Sequence, residues 1–209
     1  MLEVAGRPLI DHLAERALRV QPDEIRVVTR PEKTDLVEHA DARGWHVVLG
    51  HPRHVAASLL LGIEGLAGDT AVLAGFPDTL ITAADAATRT IEPLLAPPSG
   101  PEPSGAPDVV LGLFHNAEPW RGDVVELSPT GKVLSVVPKP ATPTSDLVWG
   151  LLAGRVTALR GLTSVDEPGL LWDRYARAGR VAGVLIDGDY LDLGTPASLA
   201  AARADSTRP

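Results

Sequence analysis

The chain has 209 residues, with 19 Lys and Arg against 27 Asp and Glu, so its formal charge is −8. No basic stripe is available to neutralise nucleic-acid phosphates, although an acidic surface can still hold one local cationic pocket for a small phosphorylated ligand. There is no Cys, which excludes disulfides, thiolate nucleophiles and Cys-ligated metal centres and leaves only oxygen or imidazole as metal ligands.

Pro8 to Val20 places Leu9, Ile10, Leu13, Ala17 and Val20 on one helical stripe, with Pro8 suited to the first turn. Glu24 to Thr29 reads as a buried strand, Pro31 to Arg43 as a helix stopped by Gly44, and Trp45 to Leu49 as a second strand. A helix from about Pro52 to Leu66 and a strand from Thr70 to Ala74 follow. Strands alternating with helices in this way are the pattern of βαβ units. Thr82 to Leu95 adds a further helix, and Ala96 to Pro107, rich in Pro and Gly, reads as a flexible surface insertion before the strand Val109 to Phe114.

The second half changes character. Asp123 to Leu127 and Lys132 to Val137 flank the turn residues Ser128 to Lys132, which predicts a β-hairpin. Leu147 to Ala153 reads as a strand, Arg155 to Leu162 and Glu167 to Ala178 as helices, and Val181 to Ile186 as a strand. A last helix opens at Thr195 and Pro196. No repeat is visible, and the composition, 44% apolar and 22% charged, suits one globular domain over 1–209. No apolar run approaches the ~20 residues a bilayer requires and no secretory start is visible, so no membrane contact and a cytoplasmic location are expected.

Three places can carry chemistry. In AVLAGFPDTLI, Ala71 to Ile81, an apolar strand runs into Asp78, and ligands of open α/β sheets bind beyond the carboxyl ends of strands. In YLDLGTP, Tyr190 to Pro196, Asp192 leaves a short apolar segment. Two carboxylates from separate strand ends can share one Mg²⁺, while each Asp alone can equally serve a turn or a helix cap. In VVPKP, Val136 to Pro140, Lys139 is one of only three Lys in the chain and is held between two prolines, a setting for a phosphate monoester as well as for a plain solvated Lys. His51 and His54 are three apart but lack a His-Glu-x-x-His frame and read as surface or structural residues. No P-loop, no Gly-x-Gly-x-x-Gly and no nucleophile elbow is present.

Taken in order, these segments resemble the sugar-phosphate nucleotidyltransferases, the glucose-1-phosphate thymidylyl- and uridylyltransferases and their relatives. VAGRPLIDHL (Val4 to Leu13) is similar to the segment after the family's catalytic loop, and GHPRHVAASLLLGIEGL (Gly50 to Leu66) to its base-recognition loop and helix. GFPDTLI, VPKP, LVWGLLAGR and LDLGTPASLAAA resemble segments carrying the first metal-binding Asp, the phosphate-binding Lys, a Gly approached by the sugar, and the second metal-binding Asp. The resemblance implies an α/β, Rossmann-like (GT-A type) fold, with a mixed, mostly parallel sheet, flanking helices and a β-hairpin excursion. It implies a nucleoside triphosphate and a sugar 1-phosphate as partners, Mg²⁺ as cofactor and pyrophosphate as the leaving group. Asp78 and Asp192 would hold the metal, Lys139 the sugar phosphate and Gly150 the sugar, with the backbone of His54, Val55 and Ala56 edging the base.

The chain departs from the family in two respects. The family's first central strand, its Gly-rich Arg-bearing loop and its Pro-Lys pair have no counterpart before MLEVAGRP, and Pro138 stands where a Glu precedes the Lys. Loss of a central strand would leave neighbouring strand edges unpaired and remove phosphate donors. The expectation is therefore of a start placed inside a longer reading frame, or else a non-catalytic binding or regulatory relative, with little or no transferase activity in the 209-residue chain. A glycosyltransferase of similar fold is disfavoured, because no Asp-x-Asp stands near Asp78.

Overall fold

The computed structural model describes residues 1–96 and 107–205. Its elements run β1 (Glu3–Val4), β2 (Arg7–Pro8), α1 (Leu9–Leu18), β3 (Arg26–Thr29), α2 (Thr34–Ala42), β4 (His46–Leu49), α3 (Val55–Gly62), β5 (Ala71–Gly75), β6 (Thr79–Ile81) and α4 (Ala86–Leu95). After residue 107 come β7 (Val109–His115), a 3-10 turn (Pro119–Arg121), β8 (Asp123–Leu127), β9 (Val133–Pro138), β10 (Leu147–Arg155), α5 (Val156–Leu159) and a second 3-10 turn (Arg160–Ser164). The chain closes with α6 (Pro168–Arg177), β11 (Val181–Leu185), β12 (Tyr190–Asp192) and α7 (Pro196–Asp205).

Every element read from the sequence is present, with trimmed ends. The helix predicted from Pro31 starts at Thr34, the one from Pro52 is reduced to Val55–Gly62, and the one from Thr82 starts at Ala86. Residues Thr79 to Ile81, which the sequence reading assigns to no element, form β6. Arg155 belongs to β10, and the helix expected over Arg155 to Leu162 is a single α-turn running into a 3-10 turn. The predicted insertion, Ala96 to Pro107, lies almost wholly outside the described residues.

The central sheet has six strands, with β11, β7, β10, β8 and β9 in spatial order and β5 also paired to β10. Four of these, β5, β7, β8 and β11, point one way and β9 and β10 the other, which makes the sheet mixed and mostly parallel in direction. Only β11 and β7 are parallel hydrogen-bonded neighbours, because β10 runs against the strands on both its edges. One edge of β10 pairs with β7 from Leu147 to Gly154; the other is divided, β5 taking Leu151 to Arg155 and β8 taking Val148. The sheet therefore forks at the middle of β10, where the register shifts between Trp149 and Leu151. A parallel pair, β3 with β4, forms a separate ribbon, as do β6 with β12. Among the described residues, neither β3 nor β5 has a strand partner on its second edge.

β7 explains where the core lies. Its run Val109 to Phe114 is buried without interruption, as expected of a strand covered on both faces. Val109, Leu111 and Leu113 face a cluster with Leu152, Leu159, Leu171 and Trp172, while Val110 and Phe114 face α4 and its neighbours. Gly112 lets α4 approach: a methyl there would lie 2.5 Å from Thr90 Oγ1, which is pinned by donating to Ala86 O at 2.7 Å, and 3.1 Å from Leu151 Cβ. No helix among the described residues is long and apolar enough to cross a membrane.

Gly112→Ala is expected to overpack this contact and lower stability by about 1–3 kcal/mol. Urea denaturation measures it, and Thr90→Ala in the same chain should return part of the loss. A neutral Gly112→Ala would show that α4 does not set the spacing.

Candidate functional site

β5 stops at Gly75, opposite Leu151 at the fork of the sheet. The chain then turns tightly, with Thr79 N and Oγ1 both donating to Phe76 O, at 3.1 and 2.7 Å. The turn carries Asp78 beyond the strand end and delivers β6 to β12, where Thr79 stands opposite Asp192 and Leu193 N donates to Asp78 O at 2.8 Å. Asp78 and Asp192, far apart in sequence, are thereby brought together. A methyl placed on Gly194 would lie 3.0 Å from Asp192 Oδ1 and 3.4 Å from Asp78 Oδ2, so both carboxylates border the small space that this glycine leaves. Gly194 N donates to Asp192 Oδ1 at 2.8 Å. Just beyond, Thr195 and Ser198 cap α7 reciprocally, each hydroxyl accepting the other's backbone N–H, which fixes the exit from Asp192.

Lost hydration is the main cause that raises the Asp78 carboxyl above its ordinary 3.8, and the Asp192 charge raises it further, opposed by the residue's own backbone N–H and by Lys33. Two oxygen donors carrying like charge side by side suit a hard divalent cation. Mg²⁺ in particular is commonly held by one or two carboxylates while keeping waters and phosphate oxygens. No cluster of three or more His, Cys, Asp or Glu able to hold a metal occurs among the described residues. The chemistry of the pair fits a cation of that kind held by two carboxylates, with the remaining coordination supplied from outside the protein.

Two aromatic residues that the sequence reading passed over frame the site. Tyr190 stacks on Phe114, centroids 5.2 Å apart, and a methyl on Gly150 would fall 2.3 Å from its ring. The approach at Gly150 is thus made by Tyr190. Burial foremost, then the charges of Asp192, Asp78 and Asp123, push the Tyr190 phenol well up, so it stays protonated. Trp149 packs against Phe76 at 5.5 Å and against Trp172 at 6.4 Å. Its Nε1 donates to Asp123 Oδ2 at 3.1 Å. Asp123 is buried and lies against Gly169 in the first turn of α6, whose backbone N–H favours its charged form. A methyl on Gly169 would sit 2.5 Å from Asp123 Oδ2, so the helix meets this carboxylate only because residue 169 lacks a side chain. Burial is the leading cause that raises the Asp123 carboxyl; the Trp149 hydrogen bond and Lys139 oppose it, and Glu167 adds to it.

Lys139 follows β9 directly, and its backbone sits at φ +39°, a left-handed conformation that non-glycine residues seldom adopt. Pro138 and Pro140 flank it, its N–H donates to Gly122 O at 3.1 Å, and its ammonium faces Glu167 at 3.3 Å. It is accordingly a held backbone with a solvated head.

The segment at α3 lies elsewhere. His54 caps the helix by accepting the Ala57 N–H on Nδ1 at 3.2 Å, which leaves Nε2 to donate to Asp166 Oδ1 at 3.1 Å. Ala56 is buried and its N–H donates to Asp166 O, while Val55 is partly exposed. His51 turns to Glu32 instead, so the two histidines share no partner.

A cavity of about 490 Å³ opens beside Asp192, lined among others by Tyr190, Trp149, Arg121, Asn116 and Ser198. Of the residues singled out in the sequence, only Asp192 lines it; Asp78, His54, Val55, Ala56, Lys139 and Gly150 do not. Tyr190 could have been found from its i, i+2 relation to Asp192 on one strand. Arg121 had no such signal, since a short turn after Pro119 brings it in.

Because its folded pKa is raised, Asp78 contributes stability below the unfolded value of 3.8 that is lost as pH rises through the folded value. Metal-free Asp78→Asn should therefore melt higher than the parent at pH 7, with the difference narrowing towards pH 3. Mg²⁺ should raise the melting point of the parent and not of the variant. Identical melting curves at pH 7 would remove the crowded-carboxylate description.

No family model matches the sequence, and no curated protein matches it either. Solved structures do match it in shape. A protein assigned as a glucose-1-phosphate thymidylyltransferase from Bacillus anthracis, crystallised with sucrose, superposes with a TM-score of 0.80 at 17% identity, over 100% of this chain and 86% of that one. A UDP-glucose pyrophosphorylase from Acinetobacter baumannii gives a TM-score of 0.78 at 14% identity, over 98% and 84%. Superposing over nearly its whole length on both, the protein has the mixed α/β fold of these sugar-phosphate nucleotidyltransferase structures.

Proposed function

We propose that the site serves nucleotidyl transfer to a sugar 1-phosphate. A phosphate oxygen of the sugar 1-phosphate attacks the α-phosphorus of a nucleoside triphosphate; the new P–O bond forms as the α-phosphorus loses its bridging oxygen to the departing pyrophosphate. The observation that carries this reading is the meeting of Asp78 and Asp192 at the fork of the sheet. Mg²⁺ held there would neutralise charge building on the phosphoryl oxygens. The protein has little covalent work to do, so its residues act by placement and charge. Lys139, on a backbone fixed by two prolines, meets the sugar phosphate after exchanging Glu167 for it. Tyr190 and Trp149 form the walls against which a sugar or base can lie.

A second reading, a nucleotide- or sugar-phosphate-binding relative without turnover, draws on one specific observation. Tyr190 fills the space at Gly150 into which the resemblance would bring the sugar.

The two readings are separated by measuring pyrophosphate release with each nucleoside triphosphate and a panel of sugar 1-phosphates, alongside calorimetric binding of the same ligands. The transfer reading expects weak, Mg²⁺-dependent release in this chain that Asp192→Ala abolishes. Binding without release would favour the second reading, and absence of both would end the pocket assignment.

A further inference from the structure

Arg121 is the residue of the cavity whose role the reading above leaves open. It closes the 3-10 turn Pro119–Arg121 and lines the cavity together with Asp192, Tyr190 and Trp149. Its guanidinium is divided between two carboxylates: Nη1 donates to Glu118 Oε2 at 3.0 Å, and Nη2 stands 3.7 Å from Asp192 Oδ2. The first contact is a hydrogen bond and the second is longer, so Glu118 holds the side chain while Asp192 only draws it. Asp192 Oδ1, meanwhile, is engaged by Gly194 N. The oxygen that Arg121 faces is thus the one left without a short donor.

Asp192 and Asp78 form a like-charge pair, and Arg121 is the guanidinium placed against its Asp192 member. A divalent cation bound by the same pair competes with Arg121 for the Asp192 charge. Once the cation takes that charge, the guanidinium is still tethered by Glu118 at the cavity wall and has donors to spare. Arginine presents its N–H groups in a planar fork that matches phosphoryl oxygens two at a time. We infer that Arg121 is a tethered counter-ion that quiets the acidic pair in the metal-free protein and, when the metal binds, turns its donors to a phosphoryl group in the cavity. Metal and phosphoryl ligand then bind with positive coupling through one side chain. This inference rests on the metal reading of Asp78 and Asp192.

The phosphoryl group could be that of a sugar 1-phosphate or of pyrophosphate, and the test separates them. The full chain and its Arg121→Gln variant are titrated with Mn²⁺ as the probe for Mg²⁺, free Mn²⁺ being read by electron paramagnetic resonance. Inorganic pyrophosphate and glucose 1-phosphate are then titrated calorimetrically, each with and without saturating Mn²⁺. Arg121→Gln should bind Mn²⁺ about two- to fivefold more tightly, the scale of one exposed ion pair removed. It should also lose roughly tenfold in affinity for one of the two anions in the Mn²⁺-loaded form, and much less in the metal-free form. A loss confined to glucose 1-phosphate assigns Arg121 to the sugar phosphate, and one confined to pyrophosphate assigns it to the leaving group. Equal loss with and without Mn²⁺ would mark Arg121 as a bystander charge and overturn the inference, as would no loss with either anion.

Asp78→Asn separates this failure from that of the underlying reading. If the parent binds Mn²⁺ and Asp78→Asn does not, the metal pair stands whatever Arg121 does. If the parent does not bind Mn²⁺, both proposals fall.

Discussion

One strand organises the molecule. β10 gives one edge to β7 and divides the other between β5 and β8, and no strand can fill the point of division. Backbone hydrogen bonding is close to obligatory inside a protein, so a break in a ladder has to be closed by turns and side chains. Around the break lie the Phe76–Thr79 turn and the hydrogen-bonded pair of the Trp149 indole and the buried Asp123 carboxylate. The candidate chemistry gathers around the same break, because polar groups are already concentrated there and the strand ends point into open space.

Most of the scaffold was legible in the sequence, and the reason is periodicity. The run Val109 to Phe114 reads as a strand and is buried throughout, and the stripe Leu9, Leu13, Ala17 reads as one face of a helix and forms α1. Short elements were not legible. β6 and β12 have three residues each, too few to show alternation, and each is stabilised by the other across a long stretch of chain. Helix ends moved inward for a local reason: Pro31 and Pro52 sit in the connections leading to α2 and α3, and the caps at Lys33 and His54 lie further on.

The site was legible in part. Asp78, Asp192 and Lys139 stood out because each interrupts an apolar segment with a charge, and the first two do meet. The feature that joins them is the pairing of β6 with β12, and Gly194, within LDLGTP, leaves room between the two carboxylates. Asp123 was hidden for a different reason. It reads as an ordinary strand residue, and its burial follows from contacts with Trp149 and α6 that lie far away in sequence. Gly150 shows the limit of reasoning by resemblance alone, since the space it leaves is filled by an aromatic ring contributed from β12.

Among the described residues, the edges of β3 and β5 without a strand partner have a consequence for handling the protein. Each presents a row of amides and carbonyls able to recruit any extended polypeptide, including a neighbour of the same kind. Nothing in β5 discourages this: Ala71 to Gly75 carries neither charge nor proline, the devices by which sheets usually repel unwanted annealing. Concentrated samples should be watched for colloidal growth, and a lysine on β5 would be a natural gatekeeper.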